Sequence, residues 1–157
     1  MPRVKRRRSI QSPPGGVWEY ATNPKNLPRW WPRTTSVRDL SGTGQKIGSR
    51  WTQVLQAKSG KRIGANLICT LSDPPTVWRF EQETEGTPFE RMMKTAWTEM
   101  RVRPDGGGTE VELELGQKLR GLSILGGLFV RSASVKTAEQ ALESLDAVLT
   151  GAAKEQA

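Results

Sequence analysis

The chain has 157 residues, 24 Lys and Arg against 16 Asp and Glu, no histidine and a single cysteine, Cys69. That length fits one domain with a real core. The missing histidine excludes a Ser-His-Asp triad, a histidine acid–base step and histidine-ligated metals; the lone cysteine excludes an internal disulfide and fits a reducing, cytoplasmic setting.

In chain order, the first element is a basic run, Pro2–Ile10. Val4 and Ile10 share a phase with Arg6 and Arg8 between them, which predicts an edge strand carrying charge against unwanted pairing. The basic start lacks the apolar stretch of a secretory leader. In "SPPGGVWEYATNP", Ser12 can cap, Pro13 and Pro14 suit a first turn, and Val17, Trp18 and Ala21 share a helical face, so a short helix ends near Asn23-Pro24. The next stretch, "NPKNLPRWWPRTTSV", sets Trp30 and Trp31 between Pro28 and Pro32. Prolines so placed forbid a long helix, and a second short helix or turn carries Leu27, Trp30 and Trp31.

Six strand-like runs follow, each closed by turn chemistry: "TTSVRDL", "GSRWTQVLQ", "RIGANLICTLS", "TVWRFEQETEG", "FERMMKTAWTEMRVR" and "TEVELELGQKL". They predict a meander of hairpins. In the last, Val111, Leu113 and Leu115 alternate with Glu110, Glu112 and Glu114, one face buried and one wet. A long helix closes the chain from about Ser123 to about Thr150, with Leu128, Val135, Ala138, Leu142, Leu145 and Leu149 on one stripe. The tail 151–157 is expected to fray. The most apolar run, Leu122 to Val130, is far shorter than the ~20 residues that cross a bilayer. One long helix covers only part of a curved, seven-stranded antiparallel sheet, so the rest of its concave face is filled by side chains or left as a cavity.

Alternation assigns the inward phase. It takes Trp51, Gln53 and Leu55 in the third strand; Ile63, Ala65, Leu67, Cys69 and Leu71 in the fourth; Trp78, Phe80, Gln82 and Thr84 in the fifth; and Val111, Leu113 and Leu115 in the seventh. In the sixth, Met100 and Val102 are read as inward. Trp97 is out of phase with them, which a bulge or an outward Trp97 packed under arginines would reconcile. Gln53, Gln82, Thr84, Asn66 and Thr98 are the polar candidates in an otherwise apolar set, the composition of small-ligand pockets. Cys69 reads as a small buried hydrophobe and Tyr20 as a surface tyrosine. Glu81, Glu83, Glu99 and the Glu110, Glu112, Glu114 row read as exposed, so no catalytic set, metal site or cofactor is expected. Charge is uneven: residues 1–62 hold 14 basic against 2 acidic side chains, and residues 63–157 hold 10 against 14. A basic half of this kind suits a solvated face, nucleic acid or an anionic membrane.

Four segments in order, "SPPGGVWEYATNPKNLPRWWP", "VRDLSGTGQKIGSRW", "LSDPPTVWRF" and "VRPDGGGTEVELEL", resemble the START/polyketide cyclase-like superfamily, also called SRPBCC or the birch-pollen-allergen fold. The likeness runs from about residue 4 to 150. Ile10-Gln-Ser-Pro stands where the family often has Ile-x-Ala-Pro, and no His, Asp or Tyr stands where catalytic members place an acid or base.

The resemblance implies an α+β helix-grip fold: a seven-stranded curved antiparallel sheet wrapped around a long C-terminal helix, with two short helices between strands 1 and 2. It implies one START-like domain over residues 1–157, its core about 4–150. A pocket lies between sheet and helix, and the short helices frame its mouth. One of Trp30 and Trp31 packs under the long helix or lines that mouth, and the other faces solvent or a partner. The expected ligand-binding set is Trp30, Trp31, Trp51, Gln53, Leu67, Cys69, Trp78, Phe80, Gln82, Met100, Leu113, Leu128 and Val135. The implied partner is a hydrophobic small molecule: a lipid, polyketide-like or isoprenoid compound. Two alternatives stay open: a cyclase/dehydrase-type enzyme acting by substrate orientation, and electrostatic binding through the basic half. Nucleic acid is the less favoured partner there, and peripheral membrane contact stays open. Oligomeric state is not legible.

Overall fold

The computed structural model describes residues 3–87, 89–91, 93–119 and 124–156, the side chains of 124–129 and 152–156 excepted. Its elements are β1 (Arg3–Ile10), α1 (Pro14–Ala21), a 3-10 turn (Pro24–Asn26), α2 (Leu27–Trp30), β2 (Thr34–Ser41), β3 (Arg50–Gln56), β4 (Arg62–Asp73), β5 (Val77–Glu83), β6 (Met93–Asp105), β7 (Gly108–Leu119) and α3 (Ile124–Gln156). The seven strands form one sheet in the order β1-β7-β6-β5-β4-β3-β2. Every neighbouring pair is antiparallel. This is the helix-grip architecture that the resemblance implied.

β1 is an edge strand, and its charges are paired on both faces. Arg3, Lys5 and Arg7 alternate outward and meet Glu114, Glu112 and Glu110 of β7 at 3.5–4.0 Å. On the inward phase Val4 and Ile10 are buried, while Arg6 and Arg8 reach α3, at Glu139 (3.3 Å) and Asp146 (2.7 Å). The Glu110, Glu112, Glu114 row is therefore half-covered by basic side chains, where the sequence suggested an open acidic face. Glu99 also departs from expectation. It is buried on the convex side between Arg101 (2.8 Å) and Arg79 (3.7 Å).

α1 begins at Pro13-Pro14 without a side-chain cap. Ser12 does not cap it; its backbone N–H donates to Ile10 O and its carbonyl accepts from the Thr109 hydroxyl. Val17, Trp18 and Ala21 are its buried face. Tyr20 is packed partly into the core, and its hydroxyl is buried without a partner. α3 packs along β1 and β7 and against α2, burying Ala138, Ala141, Leu142 and Leu145. Past Thr150 the helix continues to Gln156. Ala, Lys, Glu and Gln are good helix formers, and they outweigh Gly151.

In β4 the inward phase holds through Cys69 and then breaks. The ladder to β5 shifts register between Cys69 and Leu71, so Ser72 faces Trp78 and Leu71 pairs with Arg79. One extra residue inverts the alternation. Leu71, expected inside, is 39% exposed. Asn66 lies on the convex face, where its side chain accepts from Thr52. Trp97 also points outward, with the Arg79 guanidinium 4.2 Å from its ring centre. Its indole lies over Gly116 on β7, where a Cβ would sit 2.2 Å from the ring. Only glycine permits that approach, and the aromatic face replaces the missing side chain.

Candidate functional site

The concave face divides into a packed end and an open end. At the packed end Trp51 and Trp78 stack at 5.8 Å, and Phe80 lies 4.9 Å from Trp78 and 5.5 Å from Trp51. The Trp78 indole N–H donates to Gly44 O at 3.0 Å. Gly44 has φ +88, and a Cβ there would strike Pro24 at 2.2 Å, so the β2–β3 loop can close over Trp78 only with glycine at this position. Gln45 then ties the loop to Thr22 at the end of α1 (2.7 Å). Buried Cys69, Met100, Val102, Val111 and Leu113 complete this end.

At the open end a cavity of about 280 Å³ lies between the sheet and the N-terminal half of α3. Its floor is Gln53 and Leu55 of β3, Ala65 and Leu67 of β4, Phe80 and Gln82 of β5, Ala96 and Thr98 of β6, and Leu115 and Gln117 of β7. Val130, Ala133, Ser134 and Thr137 of α3 form the roof, and Trp31, Phe89 and Met93 close the sides. Among the described residues that line it, none is charged. The volume falls just short of the roughly 300–1,000 Å³ of small-molecule pockets, and the mix of apolar walls with a few polar groups matches them.

Trp30 and Trp31 have separate places. Trp30 is 2% exposed in the core beneath α2, and Trp31 meets it edge-on at 5.5 Å. Trp31 in turn meets Phe80 edge-on at 6.2 Å and lines the cavity. Trp30 is enclosed, while Trp31 is half-buried and is the one of the pair that reaches the surface. The proline-bounded segment thus carries an aromatic step from the core to the cavity wall, holding Trp31 without a long helix behind it.

Of the residues expected to bind ligand, Trp31, Gln53, Leu67, Phe80 and Gln82 line the cavity together. Trp30, Trp51, Cys69, Trp78, Met100 and Leu113 lie in the packed core instead. Val135 is half-buried against that core, off the cavity wall. The Leu128 side chain lies outside the described residues. Sequence reading named Leu55, Ala65, Thr98 and Leu115 as inward or polar but did not place them in the binding set. It missed Phe89, Met93, Ala96, Gln117, Val130, Ala133, Ser134 and Thr137. A signal for part of this set was present. Ala65, Ala96 and Ala133 are small residues at inward positions, and small side chains facing one another leave space.

The cavity's polar atoms are incompletely partnered. Gln53 is 3% exposed. Its amide N–H donates to the Thr34 hydroxyl at 2.7 Å, while its Oε1 has no partner. Gln82 Nε2 is likewise buried without one. Unpaired buried polar atoms are uncommon in folded proteins. Burial pushes the Cys69 thiol pKa up, against smaller opposing effects of the Leu71 backbone and the Trp78 side chain. A protonated, buried thiol is a poor nucleophile. Among the described residues no three His, Cys, Asp or Glu side chains converge to hold a metal, and no helix is long and apolar enough to cross a membrane.

Comparison with solved structures places this architecture among known folds. The ARO/CYC protein BexL from the BE-7585A biosynthetic pathway superposes with a TM-score of 0.73 at 16% identity over 92% of this chain. BexL has two domains, and the match covers 48% of it, so the present chain spans about half its length. TTHA0849 from Thermus thermophilus matches at 0.74 and 22% identity, over 96% of this chain and 99% of that one. Ara h 8.0201 matches at 0.74 and 14%, over 95% and 97%. At such identities the likeness is one of fold. No curated protein matches the chain in sequence. The sequence does match, over residues 1–150, the family described as polyketide cyclase / dehydrase and lipid transport, and with the sheet, the gripping helix and the cavity in agreement the chain belongs to that family.

Proposed function

We propose that the chain binds a hydrophobic small molecule, of lipid, polyketide-like or isoprenoid character, in the cavity between the sheet and α3. The observation that carries this reading is the cavity itself: about 280 Å³, walled by Trp31, Leu67, Phe80 and Leu115, with no described charged residue on its surface. Entry of an apolar ligand removes both its own surface and the cavity's from water, at about 25 cal/mol per Å². Catalysis by proton transfer near neutral pH has no group on the described wall to carry it, which favours a binding or carrier role over acid–base chemistry. On this reading the N-terminal basic run serves the fold through its pairs with β7 and α3, and nucleic acid is not a partner.

The test is titration of tryptophan emission with fatty acids and flat aromatic compounds at low and high salt. Trp31 on the wall reports directly. The expected outcome is saturable, stoichiometric quenching or a blue shift that is unchanged by salt, and lost in Ala133→Leu. Binding that instead weakens steeply with salt points to phosphate contacts on the basic half and overturns the proposal.

A further inference from the structure

The basic half of the chain is neutralised unevenly. Every basic residue of β1 meets a carboxylate of β7 or α3. Arg38 and Arg50 pair with Asp39 and Glu83. Arg33, Lys58, Lys61 and Arg62 differ: all four are exposed, and none meets a carboxylate among the described residues. The backbone gathers them at one corner. Lys58 and Lys61 sit on the β3–β4 turn, where the Ala57 N–H donates to Lys61 O at 2.8 Å, and Arg62 faces Gln56 across the ladder. The Gln56 N–H donates to Arg33 O at 2.8 Å, so the residue leading into β2 lies against the same hairpin. Arg33 holds φ +62, a left-handed backbone that favours glycine or asparagine, and strain of this kind gathers at binding sites. Trp31 and Leu55, close in sequence to Arg33 and Gln56, both line the cavity, so the corner borders the open end. The β5–β6 side of that end is acidic, with Glu83, Glu85 and Glu90 around one groove with Lys94. On α3, Glu143 shares a groove with Arg33 without pairing with it.

Like charges held together without counter-charge draw a polyanionic partner. Single-stranded nucleic acid would need aromatic faces on the corner for its bases, but Trp30 is buried and Trp31 is engaged with Trp30 and Phe80. A bilayer needs only the charge, and an apolar ligand resides in it. We infer that Arg33, Lys58, Lys61 and Arg62 form a docking surface for an anionic bilayer. It sets the open end of the cavity beside the lipid headgroups, with the acidic β5–β6 side tilted away. The choice of a bilayer rests on the proposed function above; the uncompensated charge does not.

Co-sedimentation of the full chain with vesicles tests it. The vesicles are phosphatidylcholine alone or with about one-third phosphatidylglycerol, at about 0.05 M and about 0.5 M salt. The chain should bind the mixed vesicles at low salt, release them at high salt and leave the neutral vesicles unbound. Each Lys or Arg near an anionic surface strengthens binding about fivefold, so Lys58→Gln with Lys61→Gln should weaken it about twenty-fivefold. Both lysines are exposed turn residues whose side chains meet no carboxylate, so the fold does not depend on them. Lys5→Gln with Arg7→Gln lowers the net charge equally, but at residues already paired on β1, and should weaken binding less than about threefold. No vesicle binding, equal binding to neutral vesicles, or equal loss in the two double variants overturns the inference. So does low-salt binding of a DNA duplex without binding of vesicles. The assay uses no cavity ligand. Its failure therefore leaves the cavity reading to the tryptophan titration, and failure of that titration with vesicle binding intact removes the ligand but keeps the docking surface.

Discussion

At one end of the concave face Trp51, Trp78, Met100 and Leu113 are all but fully buried, and the β2–β3 loop is bonded down over Trp78. At the other end Ala65, Ala96, Thr98, Ala133 and Ser134 face one another across a cavity. Both ends follow the same alternation on the same strands. What differs is side-chain volume at the inward positions and the presence of two amides, Gln53 and Gln82, in place of apolar groups. Protein interiors fill to crystal-like density when the side chains allow it. Here the small residues come from β4, β6 and α3, and no neighbour compensates. On the proposed reading, stability is concentrated at the first end and binding capacity at the second, and substitutions should separate the two.

The largest effect is expected from Trp78→Ala. It removes a fully buried indole, two ring contacts and the hydrogen bond to Gly44 O. Urea denaturation should show a loss of about 3–5 kcal/mol. A loss under about 1 kcal/mol would mean that the packed end does not carry the fold. Next is Gly116→Val, on the convex face behind the open end. Its Cβ would meet the Trp97 ring at 2.2 Å, and the indole must leave its place under Arg79. Overpacking of this kind costs about 1–3 kcal/mol. The third substitution, Ala133→Leu, should reverse the sign. It fills the cavity from α3, so stability should hold or rise by up to about 1 kcal/mol while affinity for any apolar probe drops at least tenfold. Clear destabilisation by this variant would show that the open end is as tightly packed as the other.

Much of this division was legible in the sequence. Alternation placed Trp51, Gln53, Leu67, Trp78, Phe80, Met100 and Leu113 inward, and all of them are. What it could not show was which inward positions border space. That depends on volumes summed across β4, β6 and α3, whose small residues Ala65, Ala96 and Ala133 are far apart in the chain. Period-two reading also fails past a bulge, and Leu71 changed face for that reason. The acidic row on β7 was legible as outward, but its cover of Arg3, Lys5 and Arg7 follows from β1 and β7 becoming neighbours. Nothing local in "PRWWP" distinguishes Trp30 from Trp31. Their separate places, core and cavity wall, follow from where α2 docks on α3.

The smallest expected effect concerns how the edge strand is held to the gripping helix. Arg8 and Asp146 meet at 2.7 Å, but the arginine side chain is 43% exposed. Pairs of this exposure contribute about 0–1 kcal/mol and are screened by salt. Val4 and Ile10 on the same face of β1 are fully buried, and burying such a side chain contributes roughly 1.5–3 kcal/mol. Arg8→Gln should therefore cost less than about 1 kcal/mol in urea denaturation at low ionic strength, and the difference should shrink further in 1 M salt (Debye length about 3 Å). Ile10→Ala should cost several times more at either salt concentration. If Arg8→Gln instead proves the more damaging of the two, charge and not apolar contact fastens β1 to α3.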